Sequence, residues 1–376
     1  MAKKNTNNYI FYGTKTNVQE VENFLRHSFE TNKMAAAKGF RQTPLCIWGR
    51  HGIGKTELVE KFAKANGYQW QYIAPAQFEE MGDLVGMPKV VENSNGEVVT
   101  KFMAPSWVPT EDVPGILLID DVNRADDRIL RGIMQLLQNY ELVSWKLPPQ
   151  WQIVLTANPD GGDYSVTPMD DAMLTRMMHI TMEFDVKEWA KWAEQKGIDP
   201  RGINFILTYP EVVTGDRTTP RTLVQFFNAI QSIDDLNANL SLVQMLGEAT
   251  LDMSTVSAFI SFVNSNLNKL ITPEDIVNAQ NFKTDVLEPL TAVVKKSTLR
   301  VDILATLCTR LVNYLTVKSA APSKEQLQNI KDFIKIDYIP NDIRLAMAQD
   351  LIRSNNPSLK MIMADPEIGR LLLNKM

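Results

Sequence analysis

The stretch "ILLIDDVNRAD", Ile116 to Asp126, runs four apolar residues directly into two adjacent carboxylates, Asp120 and Asp121. A charged group at the end of a greasy segment is costly unless it holds a partner, so the pair implies chemistry. Upstream, "GRHGIGKT", Gly49 to Thr56, has the spacing G-x-x-x-x-G-K-[ST] of a phosphate-binding loop. Gly49, Gly52 and Gly54 let the backbone turn its N–H groups inward around phosphates, and the following helix offers its positive end. Arg50, His51 and Ile53 complete the loop, which works through its main chain. Lys55 supplies a point charge between β- and γ-phosphates, and Thr56 offers a hydroxyl to Mg2+.

Such a loop needs an acidic residue at the end of a neighbouring buried strand to hold Mg2+, and Asp120 takes that place. Asp121 is then positioned to orient or deprotonate the attacking water; the alternative for it is a solvated turn or helix cap. "IVLTANPDG" is a third apolar run, ending at Asn158. An amide there can bond both the γ-phosphate and the lytic water, although a polar residue ending a strand is also ordinary turn chemistry.

These groups need strands to carry them. Apolar candidates are Leu45 to Trp48, Trp70 to Ala74, Ile116 to Ile119, Ile153 to Ala157 and His179 to Phe184, alternating with helical patterns such as residues 18 to 38. The alternation predicts an α/β core with a parallel sheet covered by helices on both faces. Within it, Asn95-Gly96 lies between two β-favouring runs and predicts a hairpin with a two-residue turn near 88–103. After residue 187 the strand signals stop, and amphipathic helices separated by Pro, Gly and Asn fill the remainder. The expected organisation is an N-terminal segment and helix (1–40), an α/β nucleotide-binding core (41–190), a helical region (191–275), which the family resemblance given below implies to be a lid, and a helical C-terminal region (276–376).

With 376 residues and 44% of them apolar, the chain is long enough for more than one packed core. A formal net charge of -5, with no run of Lys or Arg, gives no electrostatic footprint for nucleic acid, which makes that a secondary partner class. Cys46 and Cys308 are far apart in sequence and read as small buried hydrophobes rather than a disulfide or metal pair. No run of eighteen apolar residues and no leader-like N-terminus occur, so a cytoplasmic protein without membrane insertion is expected.

The order of features resembles the AAA+ ATPases, and more narrowly their MoxR-like, dynein-related group. "GRHGIGKT" is similar to Walker A, "LLIDDVNRA" to Walker B with its following Asn-Arg-Ala, and "TANP" to sensor 1. "FEEMGDLVGMPKV" with "FMAPSWVP" looks like the segment bearing the helix-2 insert. "MDDAMLTRMMHITM" is similar to the segment that ends in an arginine finger, which implies that role for Arg176. "TTPRTLVQF" is similar to sensor 2, which implies that role for Arg221. A cation directly after Pro220 at a helix start meets the positive end of the dipole, a penalty that a nearby phosphate would reverse.

The resemblance implies an ATPase using ATP and Mg2+, assembled as a ring, a hexamer by analogy with the group, with Arg176 reaching a neighbouring subunit. It implies a protein client, with a von Willebrand factor A domain protein as the expected partner class. The group's usual Asp-Glu is Asp120-Asp121 here, and Asp is one methylene shorter. A misplacement of about 1 Å can cost ~10²-fold, so a slow ATPase is expected. A nucleic-acid motor or loader and an ATP-switched assembly module with little turnover are the competing classes.

Overall fold

The alternation of side chains along β2 (Leu45–Trp48) sends Leu45 and Ile47 to one face of a sheet and Cys46 and Trp48 to the other. All four are buried, which requires cover on both sides. The computed structural model supplies it. It describes residues 10–160, 166–214, 217–265, 267, 270–295, 299–317, 322–354, 356–363 and 365–373. The residues group into two compact units, 1–184 and 185–376.

In the first unit six strands form one parallel sheet in the order β1-β10-β2-β9-β6-β3. They are β1 (Thr14–Thr16), β2, β3 (Gln69–Ile73), β6 (Gly115–Ile119), β9 (Trp151–Ala157) and β10 (Met178–Met182). Five are the strands expected from sequence, β2 with the expected bounds and the other four shifted by one or two residues at their ends. The sixth, β1, pairs in register with β10 but is three residues long and polar, too short for any periodicity to reveal.

One face is covered by α1 (Val18–Ala37) and α2 (Lys55–Ala65) through Val21, Leu25, Phe29, Leu58, Val59 and Phe62. Asn17 and Glu20 start α1 with a reciprocal capping box. The other face is covered by α3 (Met81–Val85) and by α4 (Asp127–Asn139), which buries Ile129, Ile133, Leu136 and Leu137. Each such side chain contributes about 1.5–3 kcal/mol on burial. A short α5 (Asp171–Leu174) precedes β10.

Two small hairpins stand apart from the sheet. Strands β4 (Met87–Glu92) and β5 (Val98–Met103) pair antiparallel, as do β7 (Glu141–Leu142) and β8 (Trp145–Lys146). The first differs from expectation in its turn. Asn93 to Glu97 form the loop: Gly96 N–H donates to the Asn93 carbonyl at 3.0 Å, and Gly96 takes the positive φ of 79°. The reason is Asn93, whose side-chain oxygen accepts from the Asn95 and Glu97 N–H groups and so sets the turn one residue earlier, with Ser94-Asn95 at its centre.

The second unit is helical among the described residues. It begins with α6 (Val186–Lys196), capped by Asp185 and ended by Gly197 at φ 70°, then α7 (Pro200–Thr208), α8 (Pro220–Ile230), α9 (Leu240–Thr250) and α10 (Met253–Asn264). Helices α11 to α17 follow, from Pro273–Asn278 to Pro366–Leu373. An aromatic core joins α7, α8 and α10, with Phe259 edge-on to Phe205 at 5.0 Å and to Phe226 at 4.9 Å.

Candidate nucleotide site

Strands β2, β9 and β6 are neighbours in the sheet, so their C-terminal ends bring residues 49–56, Asn158 and the Asp120-Asp121 pair to one edge. The Gly49 N–H donates to the Ala157 carbonyl at 3.2 Å and ties the loop to the end of β9. A Cβ on Gly49 would lie 2.7 Å from Ile53 Cδ1 and 2.8 Å from the Met182 carbonyl, so only glycine fits. Gly54 is the N-cap of α2 at φ 95°, and no side chain caps that helix. A Cβ there would meet no other atom within 4 Å, so its left-handed backbone, not crowding, demands glycine. Uncapped N–H groups beside open space are what an incoming phosphate requires.

Lys55 is buried, and its ammonium donates to the Gly49 carbonyl at 2.8 Å, the Arg50 carbonyl at 3.1 Å and Asn158 Oδ1 at 3.3 Å. Burial lowers its pKa to about 8, against the opposing pull of Asp121 and Asp120. Thr56 Oγ1 donates to Asp120 Oδ1 at 2.7 Å, Thr156 Oγ1 donates to the same oxygen at 2.6 Å, and the Tyr72 hydroxyl donates to Oδ2 at 3.2 Å. The Tyr72 hydroxyl is pushed up to about 12 by burial and by the Asp120 charge, so it stays a donor.

Asp121 takes a left-handed backbone, φ 47° and ψ 46°, at the start of the short turn Val122–Arg124, and its side chain makes no capping bond there. Its N–H donates to Thr156 Oγ1 at 2.8 Å, its Oδ1 accepts from Asn158 Nδ2 at 3.0 Å, and its Oδ2 pairs with Arg124 Nε at 3.3 Å. Asn123, fully buried, bonds the main chain of Asn158 in both directions, at 2.8 and 3.1 Å. The Asn-Arg-Ala that follows the aspartates is therefore structural: Asn123 locks β9 to β6, Arg124 holds Asp121, and Ala125 is buried.

Sequence reasoning did not single out Thr156 or Tyr72. Thr156 carried a signal, since it is a hydroxyl inside a strand whose seven residues are all buried, and such a group needs a partner. Tyr72 carried none; it reaches Asp120 because β3 pairs with β6 in the register Tyr72↔Leu118.

The donor set suits the expected groups. Thr56 and Asp120 offer hard oxygens 2.7 Å apart, a set that suits Mg2+ completed by phosphate oxygens. Among the described residues no group of three or more His, Cys, Asp or Glu side chains forms a dedicated metal cage. Arg176 lies between α5 and β10, donating from Nε to Gln138 Oε1 at 3.2 Å and from Nη1 to the Ala172 carbonyl. It shares no hydrogen bond with Lys55, Asp120, Asp121 or Asn158. Arg221 belongs to the second unit, exposed in the first turn of α8. Both cysteines are free and buried, and burial pushes the Cys46 thiol far up. No helix among the described residues is long and apolar enough to cross a membrane.

A parallel sheet in this strand order, with the phosphate loop after one strand, the acidic pair after a second and the amide after the strand between them, is the AAA+ P-loop fold. Residues 44–177 match the AAA domain of the dynein-related subfamily. Midasin of Giardia intestinalis is 23% identical over 160 residues, 40% of this chain; the chain spans only 3% of that relative's length. Among solved structures, the K64R mutant of Thermotoga maritima RuvB matches at 13% identity with a TM-score of 0.40, covering 83% of this chain and 94% of that one. The RuvB Holliday junction branch migration motor of the same organism matches at 13% identity and a TM-score of 0.37, covering 82% and 94%.

Proposed function

We propose that this protein is a MoxR-like AAA+ ATPase that uses ATP hydrolysis to remodel or activate a protein partner. The observation that carries the hydrolytic reading is the continuous hydrogen-bond chain Lys55–Asn158–Asp121 beside Thr56–Asp120, at one edge of the sheet. Lys55 and the loop N–H groups of residues 49–56 bind the phosphates of ATP. Thr56 and Asp120 would hold Mg2+, which supplies charge neutralisation on the β- and γ-phosphates when bound. Asp121 and Asn158 orient the attacking water, with Asp121 accepting its proton. Arg221, from the lid at 191–275, senses the nucleotide. Arg176 serves a neighbouring subunit's site in a ring, a hexamer by resemblance; mixing Arg176→Ala with Lys55→Ala subunits tests this, because activity insensitive to Arg176→Ala removes the trans role.

The test of hydrolysis is phosphate release by the wild type, Asp121→Ala and Asp121→Glu. Loss of about 10²-fold in Asp121→Ala supports the reading. Phosphate release no faster in the wild type than in Asp121→Ala sinks it. One observation favours a second reading, a nucleotide-switched assembly module with little turnover. Both Asp121 oxygens are already engaged, by Asn158 and Arg124, and the shorter side chain has less reach toward a water. A gain of activity in Asp121→Glu separates the two. The resemblance also supports a cytoplasmic setting and a von Willebrand factor A domain protein as client; stimulation of turnover by such a protein, absent with unrelated proteins, is the expected result.

A further inference from the structure

We propose that Arg124 is a positioning residue that restrains Asp121, so that the ion pair between them sets the resting rate of the site. The proposal rests on the reading of Asp121 as the group that engages the attacking water. Arg124 grips this residue twice. Its main-chain N–H donates to the Asp121 carbonyl at 2.9 Å, and its Nε lies 3.3 Å from Asp121 Oδ2. The two residues bound one short turn, which Asp121 enters through a left-handed backbone at φ 47°. The other carboxylate oxygen, Oδ1, accepts from Asn158 Nδ2 at 3.0 Å. Asn158 is committed as well, since its own Oδ1 accepts from the Lys55 ammonium at 3.3 Å.

A line of contacts thus runs from the buried Lys55 through Asn158 and Asp121 to a surface guanidinium. Each Asp121 oxygen has a protein donor in front of it, so a water engages this carboxylate only beside or in place of one of them. The two donors are not equally easy to displace. Asn158 is fully buried, and moving its amide would also strip an acceptor from Lys55. The outer pair is open to solvent, with the Asp121 side chain 33% and the Arg124 side chain 45% exposed. An exposed ion pair is weak, and it is the contact that opens at the smaller cost. Opening it releases Oδ2 for the water while Asn158 keeps Oδ1 in place. A slow resting rate then follows from this pairing as well as from the short aspartate side chain.

The test measures kcat for phosphate release and, separately, the Kd for ATPγS with Mg2+, in the full chain carrying Arg124→Ala, Arg124→Lys, Asp121→Ala or both alanines. Arg124→Ala is expected to raise kcat about two- to fivefold, the worth of one exposed ion pair, and to leave the Kd within about twofold. Damage to the turn would lower kcat, so the sign separates restraint from support. Arg124→Lys, which keeps a cation within reach, should bring much of the restraint back. In the Asp121→Ala background Arg124→Ala should change nothing, because no carboxylate is left to restrain. Where alanine at this position gives no folded protein, Arg124→Gln, which keeps the apolar stem, is read in the same way. A fall or no change in kcat on losing Arg124, the same rise without Asp121, or a Kd that moves more than kcat overturns the proposal. Phosphate release that is no faster in the wild type than in Asp121→Ala overturns the hydrolytic reading itself; release that depends on Asp121 but not on Arg124 overturns the restraint alone.

Discussion

Two clusters of buried polar groups, one in each unit of this chain, use their bonding capacity in opposite ways. In the first, Lys55, Asn123, Thr156 and Asn158 are buried at the C-terminal edge of one sheet and linked to one another directly or through Asp121, beside the uncapped start of α2. In the second, two buried arginines are closed off by partners of their own unit. Arg310 pairs with Glu194 at 3.0 Å and Asn204 at 3.0 Å, and Arg344 donates to the Ile334 and Ile336 carbonyls at 2.9 and 2.8 Å. One arrangement leaves bonding capacity for a ligand, and the other consumes it in joining helices. The lesson is that burial of charge alone does not mark function; the direction in which the unused bonding capacity points does.

The strongest way to break this contrast is to remove packing from the second unit. Phe259 touches Phe205 and Phe226 edge-on and is 1% exposed, so Phe259→Ala leaves a cavity between three helices. The expected cost is about 3–5 kcal/mol, read as a lower urea midpoint for the transition of this unit. A cost below about 1 kcal/mol would mean that the aromatic core is not what holds these helices.

A smaller effect is expected where the first unit's polar network meets at a single atom. Thr156 Oγ1 donates to Asp120 Oδ1 and accepts from the Asp121 N–H, so Thr156→Val removes one donor from the Asp120 carboxylate and leaves the Asp121 N–H without its acceptor. The expected cost is about 1–3 kcal/mol in stability. Turnover falls as well, because the left-handed Asp121 backbone loses its support. Thr156→Ser should restore both. Normal turnover in Thr156→Val would show that Asp120 and Asp121 are held without it.

How much of this was legible follows the same division. The phosphate loop, the acidic pair and Asn158 announce themselves because each is a local pattern whose chemistry fixes residue type and spacing. The strands beneath them are legible because burial on both faces writes continuous apolar runs such as "ILLI". Tyr72, by contrast, acquires its contact with Asp120 only through strand register, and Thr156 only through the neighbouring strand, relations that no window of sequence contains. The bond that Asp252, at the start of α10, accepts from the Thr218 N–H is less legible still. At a helix start an aspartate predicts a local cap, and only the packing of α8 against α10 redirects it. The hairpin turn misplaced by the Asn-Gly signal errs for a related reason, since the Asn93 side chain outcompetes it within five residues.

The finest test concerns the proton on Lys55. Burial lowers its pKa from the ordinary 10.5 to about 8, because the desolvation of its ammonium outweighs the opposing pull of Asp121 and Asp120. Between those two values the unfolded chain holds this proton and the folded chain does not, so stability of the free protein should rise with pH across that window. Phosphates restore the favourable surroundings of a cation and draw the proton back. Binding of ATPγS at about pH 9 should therefore take up close to one proton, and at about pH 7 almost none, since the site is already protonated there. Calorimetry in two buffers of different ionisation enthalpy reads this uptake directly. Lys55→Arg, charged at both pH values, should abolish the difference while the rest of the loop is unchanged. Equal uptake at the two pH values, or uptake that persists in Lys55→Arg, would place the titrating group elsewhere and remove Lys55 as the cation awaiting its phosphate.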